Sequence, residues 1–238
     1  MRLLIAAPRK SGNARLRCLL ATAYGLELVG SRDVPDGAGI GEVASWLSDL
    51  PDSSVAHVPW GHTAALDMLA AKHEARFVAI LRHPFDLLLS VHEIAQHRSG
   101  KKGRQGQTAD SWAVLAHREL SDPEVLAYLH EGFSDEIAWL RDWHDSGAPL
   151  LRFELLDADP AGALAALASD LGSLADETIA HAVAVCPAEN LVRSSPVRGR
   201  RMPAVSAGAW RERLSDEHLA ILRDRYGSEV SQLGYELF

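Results

Sequence analysis

The sequence has few cysteines and no long apolar run, and each shortage limits what the chain can be. Two cysteines, Cys18 and Cys186, occur among 238 residues. They are too few for a disulfide framework or a zinc cluster, so we expect a reducing compartment, with Cys18 in the core. The chain has neither a run of about 18 apolar residues nor a basic-then-apolar leader. We therefore expect a cytoplasmic protein with no signal peptide and no membrane partner.

Basic residues are fewer than acidic residues in this chain. There are 24 Lys and Arg residues against 32 Asp and Glu, which gives a net charge of −8 and argues against a nucleic-acid partner. In such an acidic chain, the basic clusters at residues 9–10, 98–104 and 193–201 are informative. The length and the 47% hydrophobic content allow one large domain or two small ones. We predict a single domain, residues 1–238. The sequence does not indicate the oligomeric state.

The stretch from residue 3 to residue 24 predicts a strand, a turn and a helix. Residues 3–7 form an apolar run typical of a buried parallel strand, and residues 14–24 have helical spacing. The turn between them carries Arg9, Lys10, Ser11, Gly12 and Asn13. Because a helix begins with unpaired N–H groups, this turn favours an anion, most often a phosphate. The full GxxxxGK[ST] pattern is absent, and a turn with a merely solvated Lys10 stays open.

Further strands alternate with helices along the chain. We predict strands at residues 55–58, 76–81 and 150–154, and helices at 41–50, 63–72, 85–97, 109–120, 123–130, 134–144, 160–171, 176–185 and 215–233. This order indicates an α/β fold with a parallel sheet, whose ligands gather at the carboxyl ends of the strands. Lys10, His57 and Arg82 each lie at or just after a predicted strand end, so we expect them to converge on one edge. The glycine-rich and basic loops at 99–108 and 193–201 are either solvated or cover an anionic ligand.

Five segments, in this order, resemble the sulfotransferases that use 3′-phosphoadenosine 5′-phosphosulfate (PAPS). They are Lys10-Ser11-Gly12-Asn13-Ala14-Arg15-Leu16 (PKSGTTWL in the family), the His57 strand end in AHVP (THLP), Arg82-His83-Pro84-Phe85-Asp86 with Ser90 (RDPRDVxxS), Arg152-Phe153-Glu154-Leu155 before Asp159-Pro160 (RYEDL…DP), and Gly208-Ala209-Trp210-Arg211 (GDWK). The resemblance covers nearly the whole chain. It implies a three-layer, P-loop-like fold in which helices flank a central parallel sheet.

The resemblance also implies a donor, PAPS, a product, PAP, and a small-molecule hydroxyl acceptor, with no metal. The residues that it assigns to the donor are Arg9, Lys10, Ser11, Gly12, Asn13, Ala14, Arg15, Arg82, Ser90, Phe153, Arg200 and Arg201. Residues 16–19 are similar to bacterial sulfotransferases that modify antibiotic scaffolds, which suggests a natural-product acceptor. Trp60 would suit an aromatic or sugar ring, and a core position suits it equally well.

Several residues depart from the family pattern. Arg15 stands where the family has the tryptophan that stacks on adenine, and a guanidinium can also stack on a ring. Asn13 and Ala14 replace two threonines, which removes one side-chain donor, and Arg9 is an additional cation. The triplet RKG has no clear counterpart, so the assignment of Arg200 and Arg201 to the 3′-phosphate rests on position alone.

The resemblance gives His57 the role of general base and Lys10 that of stabilising the departing phosphate. A positioned base near neutral pKa accelerates attack by a hydroxyl by roughly 10²–10⁴-fold. His62 is the main competitor, while His83 and His92 are weaker candidates. Two other functions stay open: a small-molecule or nucleotide kinase, which would need Mg²⁺ ligands, and a sulfotransferase-like binding protein without activity.

Overall fold

The computed structural model describes residues 1–8, 11–30, 34, 39–97, 112–187 and 205–237. The chain groups into two compact units. The sheet unit comprises Met1–Leu81 and Trp143–Arg201, and the helical unit comprises Arg82–Asp142 and Met202–Phe238. The single domain expected from the sequence therefore stays a prediction.

Within the described residues, the sheet unit holds a sheet of five parallel strands. The strands are β1 (Arg2–Ala6), β2 (Glu27–Leu28), β3 (Ser54–Val58), β4 (Ala75–Leu81) and β5 (Leu150–Arg152), in the order β2-β3-β1-β4-β5. Strand β1 is central and pairs with both β3 and β4, so that Ile5 lies opposite His57 on one side and opposite Val78 on the other. The predicted α/β class with a central parallel sheet is confirmed.

Helices flank this sheet because its central strand is apolar on both faces. Leu3, Leu4, Ile5 and Ala6 are each at most 1% exposed, and a strand buried in this way requires cover above and below the sheet. On one face, the side chains of Leu3 and Ile5 belong to a core cluster to which the first helix contributes leucines.

Nine helices of the described residues lie where the sequence predicted a helix, and two short ones, Phe153–Ala158 and Trp210–Arg213, were not predicted. Together they are α1 (Asn13–Tyr24), α2 (Ile40–Asp49), α3 (Ala64–Lys72), α4 (Pro84–His97), α5 (Pro123–His130), α6 (Ser134–His144), α7 (Phe153–Ala158), α8 (Pro160–Leu171), α9 (Asp176–Val185), α10 (Trp210–Arg213) and α11 (Asp216–Gln232). Nowhere in the described ranges is a helix both long enough and apolar enough to span a membrane.

Two predicted elements differ from the structure. A helix was expected at residues 109–120, but the described part of that range contains only a 3₁₀ helix, Trp112–Leu115, and the chain turns at His117, where φ is +60°. The strand expected to reach residue 154 ends at Arg152, and α7 begins at once. As a helix, α7 buries an apolar side chain: Leu156 is 1% exposed and belongs to the core cluster.

The cysteines correct a further expectation. Cys18 and Cys186 form a disulfide, with Cα atoms 5.9 Å apart. Cys18 lies in the middle of α1 and Cys186 directly follows α9, and these two helices pack against each other. The pairing depends on this packing of residues far apart in sequence. It removes the argument for a reducing compartment that we drew from the two cysteines.

We predict that removal of this disulfide lowers the free energy of unfolding by about 2–4 kcal/mol, because the bond closes a loop of 168 residues in the unfolded chain. Urea unfolding with and without reductant measures the loss. The C18A/C186A variant is the control, since its stability should not respond to reductant. Two titratable thiols in the unreduced, unfolded protein would contradict the disulfide.

Candidate functional site

The turn after β1 leads directly into the amino terminus of α1. Gly12 precedes the helix with φ +83° and ψ +7°, and no side chain caps the first turn. Leu16 N–H makes the first helical hydrogen bond, to Gly12 O at 3.0 Å, so the N–H groups of Asn13, Ala14 and Arg15 come before the helical ladder. No acidic residue stands in this first turn. Such an end, with its exposed N–H groups and its positive dipole, is suited to an anion.

Gly12 is required at this position for two reasons. Its φ lies in the left-handed region, which side chains other than glycine rarely adopt. A Cβ on Gly12 would also lie 3.0 Å from Phe153 Cδ2 and 3.0 Å from Leu156 Cδ2, both on α7. Helix α7 therefore packs on the turn, and the structure brings the predicted residue Phe153 to the predicted Gly12.

Two other predicted donor-binding residues have bonds that shape the turn. The Ser11 hydroxyl donates to Pro8 O, and Ser11 is fully buried, so this side chain closes the turn. Arg15 Nη1 donates to Leu156 O at 3.2 Å, which ties the guanidinium to α7. Stacking of Arg15 on adenine stays a prediction. Arg9 and Lys10, and likewise Arg200 and Arg201, lie outside the described residues.

His57 lies beside the start of the same turn. It is on β3, opposite Ile5 in the register, and its Nε2 lies 3.0 Å from Ala7 O, just past the end of β1. A carbonyl oxygen can only accept, so Nε2 carries the proton of this bond. In the neutral ring, Nδ1 is then the nitrogen with the unshared electron pair. The structure thus brings the predicted base to the carboxyl end of the central strand.

The competing histidines have different surroundings. His62 precedes α3, and its Nε2 lies 2.8 Å from Asp67 Oδ2, so that a carboxylate orients the ring. His92 is 7% exposed, its Nε2 donates to Arg118 O, and burial lowers its pKa. His83 accepts from Phe85 N–H at Nδ1 and donates from Nε2 to Glu236 O. Because both ring nitrogens of His83 are used for packing its own unit, a structural role fits it best.

Trp60 has the character of a core residue. It is 9% exposed, and its ring meets the edge of Trp46 with centroids 5.5 Å apart. Its carbonyl oxygen accepts a hydrogen bond of 2.9 Å from Trp143 Nε1. The packing therefore explains Trp60 without an acceptor ring.

In the helical unit, Arg82 and Ser90 are in direct contact. Arg82 follows β4 in the chain, and its Nη1 donates to Ser90 Oγ at 2.9 Å across the first turns of α4. Arg82 Nη2 donates to Val205 O. Arg82 is 1% exposed and Ser90 is 2% exposed, so both side chains are shielded from water. A desolvated guanidinium makes strong charge-assisted hydrogen bonds with phosphate.

Asp86 received no separate role in the sequence analysis, but in the structure its carboxylate binds two backbone N–H groups. Asp86 is fully buried in the first turn of α4, and its carboxylate accepts from Gly208 N–H at 2.6 Å and from Trp210 N–H at 2.9 Å. Asp86 and Gly208 both lie in segments that resemble the family, yet nothing in either segment alone indicates that the two are bonded. Among the described residues, no group of three metal-ligating side chains occurs.

Comparison with known proteins gives a likeness in fold. No protein-family model and no curated protein matches the chain. Similar solved structures include a mouse sulfotransferase, SULT7A1, complexed with PAP (TM-score 0.63, 12% identity, 98% of this chain and 88% of that chain). Retinol dehydratase in complex with androsterone and the inactive cofactor PAP has TM-score 0.64 and 13% identity over 96% of this chain and 80% of its own. The sulfotransferase domain of a Synechococcus olefin synthase has TM-score 0.52 and 13% identity over 99% and 94%.

We predict that Gly12→Ala lowers the free energy of unfolding more than Gly25→Ala does. Both glycines flank α1 with positive φ, at +83° and +65°, but a Cβ at Gly25 would meet nothing within 4 Å. Gly25→Ala should therefore cost only the left-handed conformation, about 1–2 kcal/mol, whereas Gly12→Ala adds the contact with α7. Urea unfolding of both variants measures the difference. Equal losses would mean that α7 does not press on the turn.

Proposed function

We propose that this chain, which has the fold of the sulfotransferases, transfers the sulfuryl group of PAPS to a hydroxyl of a small-molecule acceptor. The observation that carries the proposal is the position of His57. Its imidazole is hydrogen-bonded to Ala7 O just past the end of β1. Ala7 lies two residues before Arg9, three before Lys10 and five before Gly12, which precedes a helix with no side-chain cap. This arrangement supports a general base and an anion-binding helix terminus at the same carboxyl edge of the sheet.

The turn between β1 and α1 would hold the 5′-phosphosulfate. The glycine backbone and the first N–H groups of α1 suit a phosphate, and side chains at Gly12 are excluded by α7. Lys10, with Arg9 beside it, would stabilise the negative charge that develops on the departing phosphate. Ser11 contributes by closing the turn onto Pro8, and Arg15 and Phe153 are proposed to contact the adenine.

Arg82 and Ser90 would bind the 3′-phosphate. Their existing hydrogen bond already aligns a hydroxyl with a guanidinium, which is a donor pair suited to phosphate oxygens. Arg200 and Arg201 are proposed to add charge to the same phosphate. Two of the similar structures, the mouse sulfotransferase and retinol dehydratase, contain PAP, which supports PAP as the product that remains after transfer.

His57 would act through Nδ1. The acceptor oxygen forms a bond to sulfur as the bond between sulfur and the phosphate oxygen breaks, and the acceptor proton passes to Nδ1. The resulting imidazolium keeps its Nε2–H on Ala7 O, so the hydrogen bond both orients the ring and stabilises its charged form. A small-molecule acceptor is consistent with the androsterone and retinol found in the retinol dehydratase complexes, and a natural-product acceptor is proposed on the likeness to the olefin synthase domain.

We predict that PAP raises the melting temperature of the protein more than ADP or ATP does, because a ligand that binds only the folded state stabilises it.

In calorimetric titrations, Lys10→Ala and Arg82→Ala should each weaken PAP binding by roughly 1–3 kcal/mol, the value of a charge-assisted contact. Arg76→Ala is the matched control, since Arg76 is an exposed arginine that bonds to Asp170 O. In the melting-temperature comparison, a larger shift with ATP than with PAP would favour a kinase. No shift with PAP, ADP or ATP would contradict nucleotide-dependent transfer.

We predict that His57→Ala abolishes sulfuryl transfer from PAPS while its affinity for PAP stays within about threefold of the wild-type value. The loss should be on the order of 10²–10⁴ in kcat, because the acceptor hydroxyl loses its base. Release of PAP from radiolabelled PAPS, measured over a panel of phenol, sugar and alkyl alcohols, reports the activity. His62→Ala serves as the control, with its carboxylate partner Asp67 left in place. Loss of activity in His62→Ala alone would transfer the role of base to His62.

A further inference from the structure

Asp86 joins two parts of the helical unit that are more than 120 residues apart in sequence. Its two carboxylate oxygens take different backbone groups, Oδ2 accepting from Gly208 N–H and Oδ1 from Trp210 N–H. Asp86 is fully buried, and neither of its oxygens could exchange a hydrogen bond with water. A buried carboxylate is costly unless it is hydrogen-bonded in this way, so the contact fixes one defined arrangement of the two segments.

The segment from Val205 to Trp210, here the 205–210 turn, is held at both ends by Arg82, just before α4, and by Asp86, in its first turn. Arg82 Nη2 donates to the carbonyl of Val205 at one end. Asp86 accepts the N–H groups of Gly208 and Trp210 at the other end. Arg82 and Asp86 are four residues apart, so the position of the 205–210 turn and the direction of the Arg82 guanidinium are set together.

Packing around Trp210 strengthens this arrangement. The indole is 2% exposed and stacks on His83, with centroids 4.9 Å apart and an interplanar angle of 23°. Gly208 has φ +80°, which allows its N–H and that of Trp210 to point at one carboxylate. The first turn of α4 also favours a negative charge, because the helix dipole is positive there.

We propose that Asp86 is a positioning residue for the 3′-phosphate: by fixing the 205–210 turn, it orients the Arg82 guanidinium that donates to Val205 O. This inference rests on the proposed function, since it concerns the donor nucleotide. It assigns Asp86 no contact with that nucleotide. Its effect is confined to the phosphate on the 3′ oxygen, which distinguishes it from a general contribution to folding.

The test compares two nucleotides that differ by that phosphate. PAP carries phosphates at the 3′ and 5′ positions, and adenosine 5′-monophosphate (AMP) lacks the 3′ one. Calorimetric titration gives the ratio of PAP affinity to AMP affinity for the wild type and for Asp86→Asn. In this variant an NH₂ group faces a backbone N–H. We expect the ratio to fall at least tenfold in Asp86→Asn, with AMP affinity within twofold of the wild-type value. An equal loss for both nucleotides, or an unchanged ratio, overturns the proposal.

Arg213→Gln is the matched control, because Arg213 pairs with Glu93 and so joins the same two helices, α4 and α10. The ratio should not change in this variant, and a similar fall there would mean that any loosening of α10 suffices. If Asp86→Asn does not fold, Asp86→Glu, which keeps the charge and displaces the oxygens, is titrated instead. Failure of both variants to fold makes Asp86 a structural residue and overturns the proposal. A wild type that does not prefer PAP to AMP overturns the proposed function itself.

Discussion

The parallel pairing of β1 with β3 and β4 is the constraint on which the sheet unit depends. Because β1 is buried on both faces, helices must cover both sides, and each strand must be followed by a crossover. Because the strands are parallel, the chain leaves each strand at the same edge of the sheet. The turn at Gly12 and the ring of His57 are therefore brought to one place by the pairing of Ile5 with His57, before any side chain at that edge contributes.

Backbone carbonyl groups at this edge explain how the polar residues are fixed. Ala7 O and Pro8 O lie just beyond the last residue of β1, where the sheet no longer supplies partners. His57 donates to the first and Ser11 to the second. The side chains thereby supply hydrogen-bond donors to two buried backbone carbonyl groups. The same bonds hold the imidazole and the turn in fixed positions, so stability and the proposed chemistry use the same contacts.

Most of the fold, and the proximity of Gly12 to Phe153 in the candidate site, could be predicted from the sequence. Apolar runs such as residues 76–81 and the glycine turn before α1 are local signals, and both predicted the structure well. What failed depends on contacts that are distant in sequence. The disulfide of Cys18 and Cys186 needs α1 and α9 side by side. The apolar start of α7 has the local pattern of a strand, and its packing on Gly12 and the core is not visible in that pattern. The hydrogen bonds of Asp86 with Gly208 and Trp210 likewise join residues that are distant in sequence, and they were not predicted.

In the helical unit, the contacts of the 205–210 turn are made by its backbone and not by the side chain of Ala209. Ala209 stands where the similar segments of sulfotransferases have an aspartate, a change of both charge and size. Yet the contacts of the 205–210 turn are made by its backbone: Val205 O accepts from Arg82, and the N–H groups on either side of Ala209 go to Asp86. A backbone hydrogen bond is available whatever the side chain. The arrangement uses the positive φ of Gly208 and the stacking of the Trp210 ring on His83, and the side chain of residue 209 takes no part in these hydrogen bonds.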